Sequence, residues 1–350
     1  LPKYLVYIVI FSAACVTIAT VTLMTRKRPE LSKSGNSKVT ANGGSGVGTS
    51  TLHQITSNTW RAPKDETIPT GKEGEIIRYG RELIVHTSKY LGPKGTIAKI
   101  TNGMNCQNCH LDAGTRPYGN NFSGFITAYP KMSRRAGKIE SPAERLVECF
   151  ERSLNGKAPD TSGREIRSIL AYMRWVGKDG KHGVNLIGAS TEKLPYLKFA
   201  ADTAKGNAVY SLKCQNCHGQ NGEGVLSHDG TSYTYPPLWG NHSYNDGAGM
   251  YRLGNLAGFV KNNMPLGATY QNPQLTNEEA WDVAAFIESK PRAHQNQHSD
   301  WKDLNKKPID FPFGPYPDSF SEKQHKYGPF APIKAAHNGR SMSSVTNLQK

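Results

Sequence analysis

The chain has 350 residues, with 43 Lys and Arg against 28 Asp and Glu, a formal charge of +15 and only six cysteines. At roughly 100 to 200 residues per domain, that length predicts two domains plus extensions, and because four of the six cysteines sit in the two CQNCH motifs, leaving Cys15 and Cys149, no disulfide framework is expected. The positive excess favours anionic partners, whether small oxyanions, acidic redox proteins or lipid headgroups; with no recognition motif beside it, it argues against nucleic acid.

In chain order, residues 5–24 come first: an uninterrupted run of uncharged, mostly apolar side chains, long enough to span about 30 Å of hydrocarbon as a helix. Residues 1–28 are therefore expected to be an N-terminal transmembrane helix serving as membrane anchor or signal segment. A cleaved signal peptide fits less well, because its apolar core is usually about 7 to 15 residues. A lipoprotein signal at Cys15 fits less still, since the apolar run continues past it. Arg26, Lys27 and Arg28 would by the positive-inside rule stay cytoplasmic, but the cofactor attachment argued next requires the body outside. Residues 29–58 are rich in Ser, Gly, Asn and Thr and are expected to be a flexible linker.

Two copies of CQNCH follow, Cys106/Cys109/His110 and Cys214/Cys217/His218. CxxCH lets one turn hold a haem through two thioether bonds while the next His reaches the iron. Zinc would need four ligands converging on one metal, and these motifs lie more than 100 residues apart. The spacing predicts two covalently bound haem c groups in a mainly α chain: two class I cytochrome c-like domains in tandem, residues 59–195 and 196–292. Haem attachment also predicts the periplasmic side of a bacterial membrane.

Between the motifs, Ser141, Pro142 and Glu144 form an N-cap, N1 proline and capping-box acid, and Gly156 is the expected stop. Cys149 then falls mid-helix, 39 residues after His110, in the slot of a sixth iron ligand. Helical register places Arg145, Arg152 and Ser153 on its face, and nearby cations favour a thiolate, both ligand and nucleophile. Met132, Met173 and His182 are alternative ligands. Ser162 and Glu165 are expected to open the next helix, with Ile166, Ile169, Leu170 and Met173 as its stripe and Gly177 as its end.

In the second unit Met264 precedes Pro265, 46 residues after His218. It is the expected sixth ligand, of the kind that raises a potential, with His228, His242 and Met250 as competitors. Thr276 and Glu279 make a capping box for the last helix, which Pro291 follows. Residues 293–350, rich in Pro and aromatics around 311–317, are expected to be an extended C-terminal strap and tail, its last ten residues without order.

The segment Arg145-x-x-x-Cys149-Phe150-x-x-Ser153-x-Asn155-Gly156, the two CQNCH motifs, Asn263-Met264-Pro265 and the Pro-rich tail resemble the dihaem cytochrome c thiosulfate dehydrogenases. The resemblance runs from about residue 60 to 333. It implies oxidation of two thiosulfates to tetrathionate, or the reverse, at a haem ligated by His110 and Cys149, with electrons leaving through one ligated by His218 and Met264 to an acceptor such as a small cytochrome c. It implies Cys149 as catalytic thiol, and Arg135, Arg145 and Ser153 as substrate-binding residues. Some relatives carry Lys immediately before the Met; here Asn263 stands there. The rival readings are a non-catalytic electron carrier and a dihaem peroxidase, the latter lacking identifiable acid and base residues.

Overall fold

The computed structural model describes residues 59–346, with side chains to residue 338. The apolar run at 5–24, the linker up to residue 58 and the last four residues lie outside the described residues. Among the described residues no helix is long and apolar enough to cross a membrane. They belong to one compact unit, Gly48–Lys350.

The architecture is mainly helical. Its longer helices are α1 Gly71–Val85, α2 Pro142–Glu148, α3 Arg164–Val176, α4 Thr203–Lys213, α5 Leu253–Asn263, α6 Asn277–Glu288 and α7 Phe330–Thr346. Two antiparallel strand pairs complete it: β1 Lys131–Met132 with β2 Ile139–Glu140, and β3 Val225–Leu226 with β4 Tyr233–Tyr235.

One helix crossing occurs twice. A Cβ on Gly80 of α1 would lie 1.9 Å from the Ser168 carbonyl oxygen of α3, and one on Gly206 of α4 would lie 1.9 Å from that of Asp282 in α6. Only glycine lets these backbones touch, and beside each contact stands an aromatic residue, Tyr172 in α3 and Phe286 in α6. Of the stripe predicted for α3, Ile166, Ile169 and Met173 are buried by the crossing and Leu170 is half-buried; in α6 the crossing buries Ala280, Val283, Ala284 and Ile287, spaced as one helical face. Helix α6 is buried on nearly every side, as expected for a helix covered all round.

The capping boxes at Ser141/Glu144 and Thr276/Glu279 form as predicted. Three local expectations are corrected. Helix α3 is capped by Gly163, not Ser162, because the Ser162 hydroxyl donates to Asp160 Oδ1 at 2.7 Å instead. The helix through Cys149 does not run unbroken to Gly156: after Glu148 it widens into a π-helical turn, Cys149–Ser153. The tail is not wholly extended. Residues 293–321 are mostly irregular, but Glu322–Tyr327 is helical and α7 continues into the last ten residues. Phe330 and Ile333 bury α7 against the body, Phe330 lying 5.6 Å from the Trp281 ring.

Candidate active site

The first CQNCH motif forms a tight turn, Cys106–Asn108, with Asn105 and Asn108 as a reciprocal capping box. Its thiols face an apolar cavity of about 40 Å³ that His110, Phe122, Phe125, Leu146, Cys149 and Ser153 also line. Burial pushes the Cys106 thiol up to about 11 and that of Cys109 to about 12. The His110 Nδ1–H donates to the Asn120 carbonyl at 2.5 Å. A carbonyl only accepts, so Nε2 keeps its lone pair, and burial pulls the ring down to about 4, so it stays neutral. That is an imidazole prepared as a metal ligand with its second nitrogen anchored. The donor set fits haem c: two thiols at thioether spacing, a neutral His and a facing sulfur. The fit is one of chemistry, the donors being gathered on one cavity.

Cys149 opens the π turn. The Leu154 N–H reaches back five residues to the Cys149 carbonyl at 3.0 Å, which widens the helix locally, as happens often at functional sites. In a wider turn the residue four positions on stays near the starting face, while the residue three on rotates off it. Ser153 accordingly lines the Cys149 cavity. Arg152 does not; it is buried elsewhere, paired to Asp300 at 2.9 Å.

Arg145 sits one turn before Cys149. Burial works against its charge, but the pull of Cys149 and Glu148 prevails and holds the guanidinium above its ordinary range. Glu148 pairs with both Arg145 and Arg135, the latter at 3.2 Å. Arg135 also lies 3.9 Å from Asp300 and over the Trp301 ring at 5.8 Å. The charges therefore alternate, Arg145–Glu148–Arg135–Asp300–Arg152, three cations against two anions, so the surroundings of Cys149 are less cationic than the three arginines alone predict. Tyr129 feels both Arg145 and Cys149, and burial holds its hydroxyl protonated, well above the usual range.

The second motif lines a cavity of about 360 Å³ with Cys214, Cys217, His218, Met250 and Met264. His218 repeats the first arrangement: its Nδ1–H donates to the Pro236 carbonyl at 2.8 Å, leaving Nε2 free, and burial lowers its affinity for a further proton. Asn105, Cys109 and Leu111 of the first motif region also line this cavity, so the two sites adjoin. Neither His228 nor His242 lines it. Asn263 is buried, and its amide donates to Tyr118 O at 3.1 Å and Phe259 O at 2.9 Å.

The cytochrome c family pattern matches residues 203–291. Thiosulfate dehydrogenase from Stutzerimonas stutzeri is 34% identical over 75% of this chain and 80% of its own. The chain belongs to the thiosulfate dehydrogenase family. The thiosulfate dehydrogenases of Psychrobacter arcticus, 37% identical over 69% of this chain and 72% of its own, and Allochromatium vinosum, 38% identical over 66% and 83%, agree. A solved thiosulfate dehydrogenase (TsdBA) from Marichromatium purpuratum in its as-isolated form superposes with a TM-score of 0.61 at 32% identity, covering 67% of this chain. This chain spans half of that one. Membership makes the chain an oxidoreductase, and its cytochrome c domain implies covalently held haem c.

Of the predicted residues of this thiosulfate dehydrogenase family member, the first cavity gathers Cys106, Cys109, His110, Cys149 and Ser153, and Met173 also reaches it. Met132 is exposed on β1, and His182 is an exposed residue bonded to Thr127 O at 2.7 Å. Sequence reasoning missed Glu148, Tyr129, Asp300 and Trp301. Glu148 was visible in principle, three residues after Arg145; Asp300 and Trp301 come from the strap and carry no local signal.

Proposed function

We propose that this enzyme oxidises two thiosulfates to tetrathionate, reversibly, at a site where Cys106, Cys109 and His110 would hold a haem, with Cys149 as its further ligand and the catalytic thiol. Cys214, Cys217, His218 and Met264 would hold a second haem, which would supply the route by which electrons reach an acceptor such as a small cytochrome c. Haem c, when bound, supplies the one-electron acceptors that the reaction needs. The observation that carries the reading is the presence of Cys149, Ser153 and the first CQNCH motif on one cavity, with Arg145 one turn away.

The chain's own residues do the rest. Two dianions repel, and Arg145 and Arg135 offset that repulsion with planar donors suited to sulfonate oxygens; Ser153 adds a hydroxyl donor. The Cys149 thiolate Sγ forms a bond to the outer sulfur of one thiosulfate, giving Cys149 Sγ–S–SO₃⁻ and releasing two electrons, which the bound haems would accept. The outer sulfur of a second thiosulfate attacks that adduct, the Cys149–S bond breaks, and tetrathionate leaves with the thiolate restored. Holding the first substrate covalently divides a hard coupling into two displacements at sulfur. At the second haem Asn263 stands where some relatives carry Lys; its amide offers no amine to replace Met264, which supports a fixed His/Met pair. Residues 5–24 would anchor this body on the periplasmic side of the membrane.

Cys149→Ala tests the reading: thiosulfate-dependent reduction of an acceptor cytochrome should fall by at least ~10³-fold with both haems attached. Normal turnover would leave only an electron carrier.

A further inference from the structure

Behind the reaction site lies a cleft of about 1070 Å³, walled by the segment before α4, the start of α5, the strap and α7. Arg134, Lys193, Arg252, Lys306, Lys307 and Lys334 line it, and among the described residues Asp310 is the one carboxylate on its walls. Asp310 is already taken by Arg252, whose Nε donates to it at 2.9 Å. Lys306 pairs with Asp303 on its own turn at 3.3 Å. Among the described residues Arg134, Lys193, Lys307 and Lys334 have no carboxylate within ion-pair distance. Lys193 donates only to Asn255 Oδ1 at 2.8 Å, and Lys307, 5% exposed, only to Pro315 O at 2.9 Å. Burial lowers the proton affinity of both, and Arg252 lowers that of Lys193 further.

Cations from five separate stretches converge here without matching anions, which raises the local potential and concentrates negative ligands. The walls are concave and partly aromatic, with Trp281, Trp301 and Tyr196 among them, as in sites for small ligands. The cleft also abuts the reaction site. The turn between β1 and β2 places Arg134 on the cleft and Arg135 on Glu148. Trp301 joins the two, lining the cleft while its backbone N–H donates to the Arg135 carbonyl at 2.8 Å.

We propose that this cleft is a second, non-catalytic binding site for small polyvalent oxyanions, which holds them beside the reaction site. That the natural occupants are thiosulfate and tetrathionate rests on the function proposed above; the anion site itself rests on the cleft. No bond is made or broken there.

The test is equilibrium dialysis of the holoprotein with tetrathionate, and separately with sulfate, at fixed low ionic strength, comparing the native chain with Arg134→Glu/Lys334→Glu. Both positions are exposed and outside the reaction site, so haem absorbance and helix content report whether the variant is intact. The native chain is expected to bind more than one tetrathionate, and the variant to lose one binding event or weaken it by ~10-fold, with KM for thiosulfate raised and kcat unchanged. Arg134→Gln/Lys334→Gln, which removes charge without reversing it, should fall between the two. Equal stoichiometry and affinity in native and variant chains would overturn the site. Crystals soaked in tetrathionate with density beside Arg145 alone would do the same. If sulfate and tetrathionate occupy the cleft but thiosulfate is not oxidised, the reaction proposal fails and the cleft stands; if thiosulfate turns over and the cleft stays empty, the reverse holds.

Discussion

In the reaction proposed above Arg145 has the central part, because its guanidinium lies one turn before Cys149 and is held by Glu148, the carboxylate with which a bound anion would compete. A dianion bound beside Cys149 as proposed would meet that guanidinium already oriented by a carboxylate, and would exchange for it without a search through rotamers. Arg145→Gln removes the charge and leaves Glu148 with Arg135 as its remaining partner; kcat/KM for thiosulfate is expected to fall by about 10² to 10³-fold, the usual scale for removing one preorganised donor from a developing negative charge. Arg145→Lys keeps the charge but loses the planar fork, and should recover part of that loss. If the two variants were equally impaired, geometry rather than charge would be the requirement. The sequence displayed this residue plainly, as it did His110, Cys149, Ser153 and the thiols, since each belongs to a short motif whose spacing carries its geometry. Arg152 read the same way and went elsewhere. Its register was sound for an α-helix, but the π turn rotated it off the Cys149 face, and Asp300, 148 residues on, holds it there. A local pattern cannot report a distant partner, and the widening of one turn depends on such partners.

At the level of elements, what sequence reveals is the part fixed by nearest neighbours. Ser141 with Glu144, and Thr276 with Glu279, close their boxes within four residues, and both helices start where the pattern says. Ser162 had the same appearance and lost its role to a local competitor, Asp160. The crossings of α1 on α3 and α4 on α6 were not legible as crossings, because a glycine inside a helix looks like a weak point until the opposing backbone is known. Gly206 is the sharper case: a Cβ there would meet the Asp282 carbonyl oxygen at 1.9 Å, an atom with no rotamer to yield. Gly206→Ala should therefore destabilise the holoprotein despite alanine's better helix propensity, by about 1 to 3 kcal/mol for overpacking a tight contact, read as a lower midpoint in guanidinium denaturation. The gain of about 1 kcal/mol normally seen for Gly to Ala in a helix would be the outcome at a loosely packed position, so the sign of the change decides whether the crossing is as close as described.

Across the whole molecule, the Glu322–Tyr327 helix meets the cytochrome body at a buried charge cluster beside the second cavity, which Tyr244 lines. Glu288, 1% exposed at the end of α6, accepts from the Tyr244 hydroxyl at 2.6 Å and lies 3.3 Å from Arg292. Arg292 stacks on Tyr244 and Tyr251 at 4.4 and 4.8 Å. Lys326, from the Glu322–Tyr327 helix, donates to the Tyr251 hydroxyl at 3.2 Å, and Tyr327 and Asp246 complete the charged and titratable surroundings. Burial pushes the Glu288 carboxyl from its ordinary 4.5 up to about 7, although Arg292, Tyr244 and Lys326 all pull it down. The folded chain thus holds this proton more tightly than the unfolded chain does. Stability from this source is fully present below about 4.5 and is lost as pH rises through about 7, because over that window the native state binds the extra proton. Glu288→Gln keeps an oxygen for Tyr244 and removes the titration. Its melting temperature, measured against the native holoprotein from pH 4.5 to 8, should gain on the native value as pH rises and level off above 7; a constant difference across that range would mean that Glu288 is ionised throughout, paired to Arg292, and that burial does not dominate the cluster.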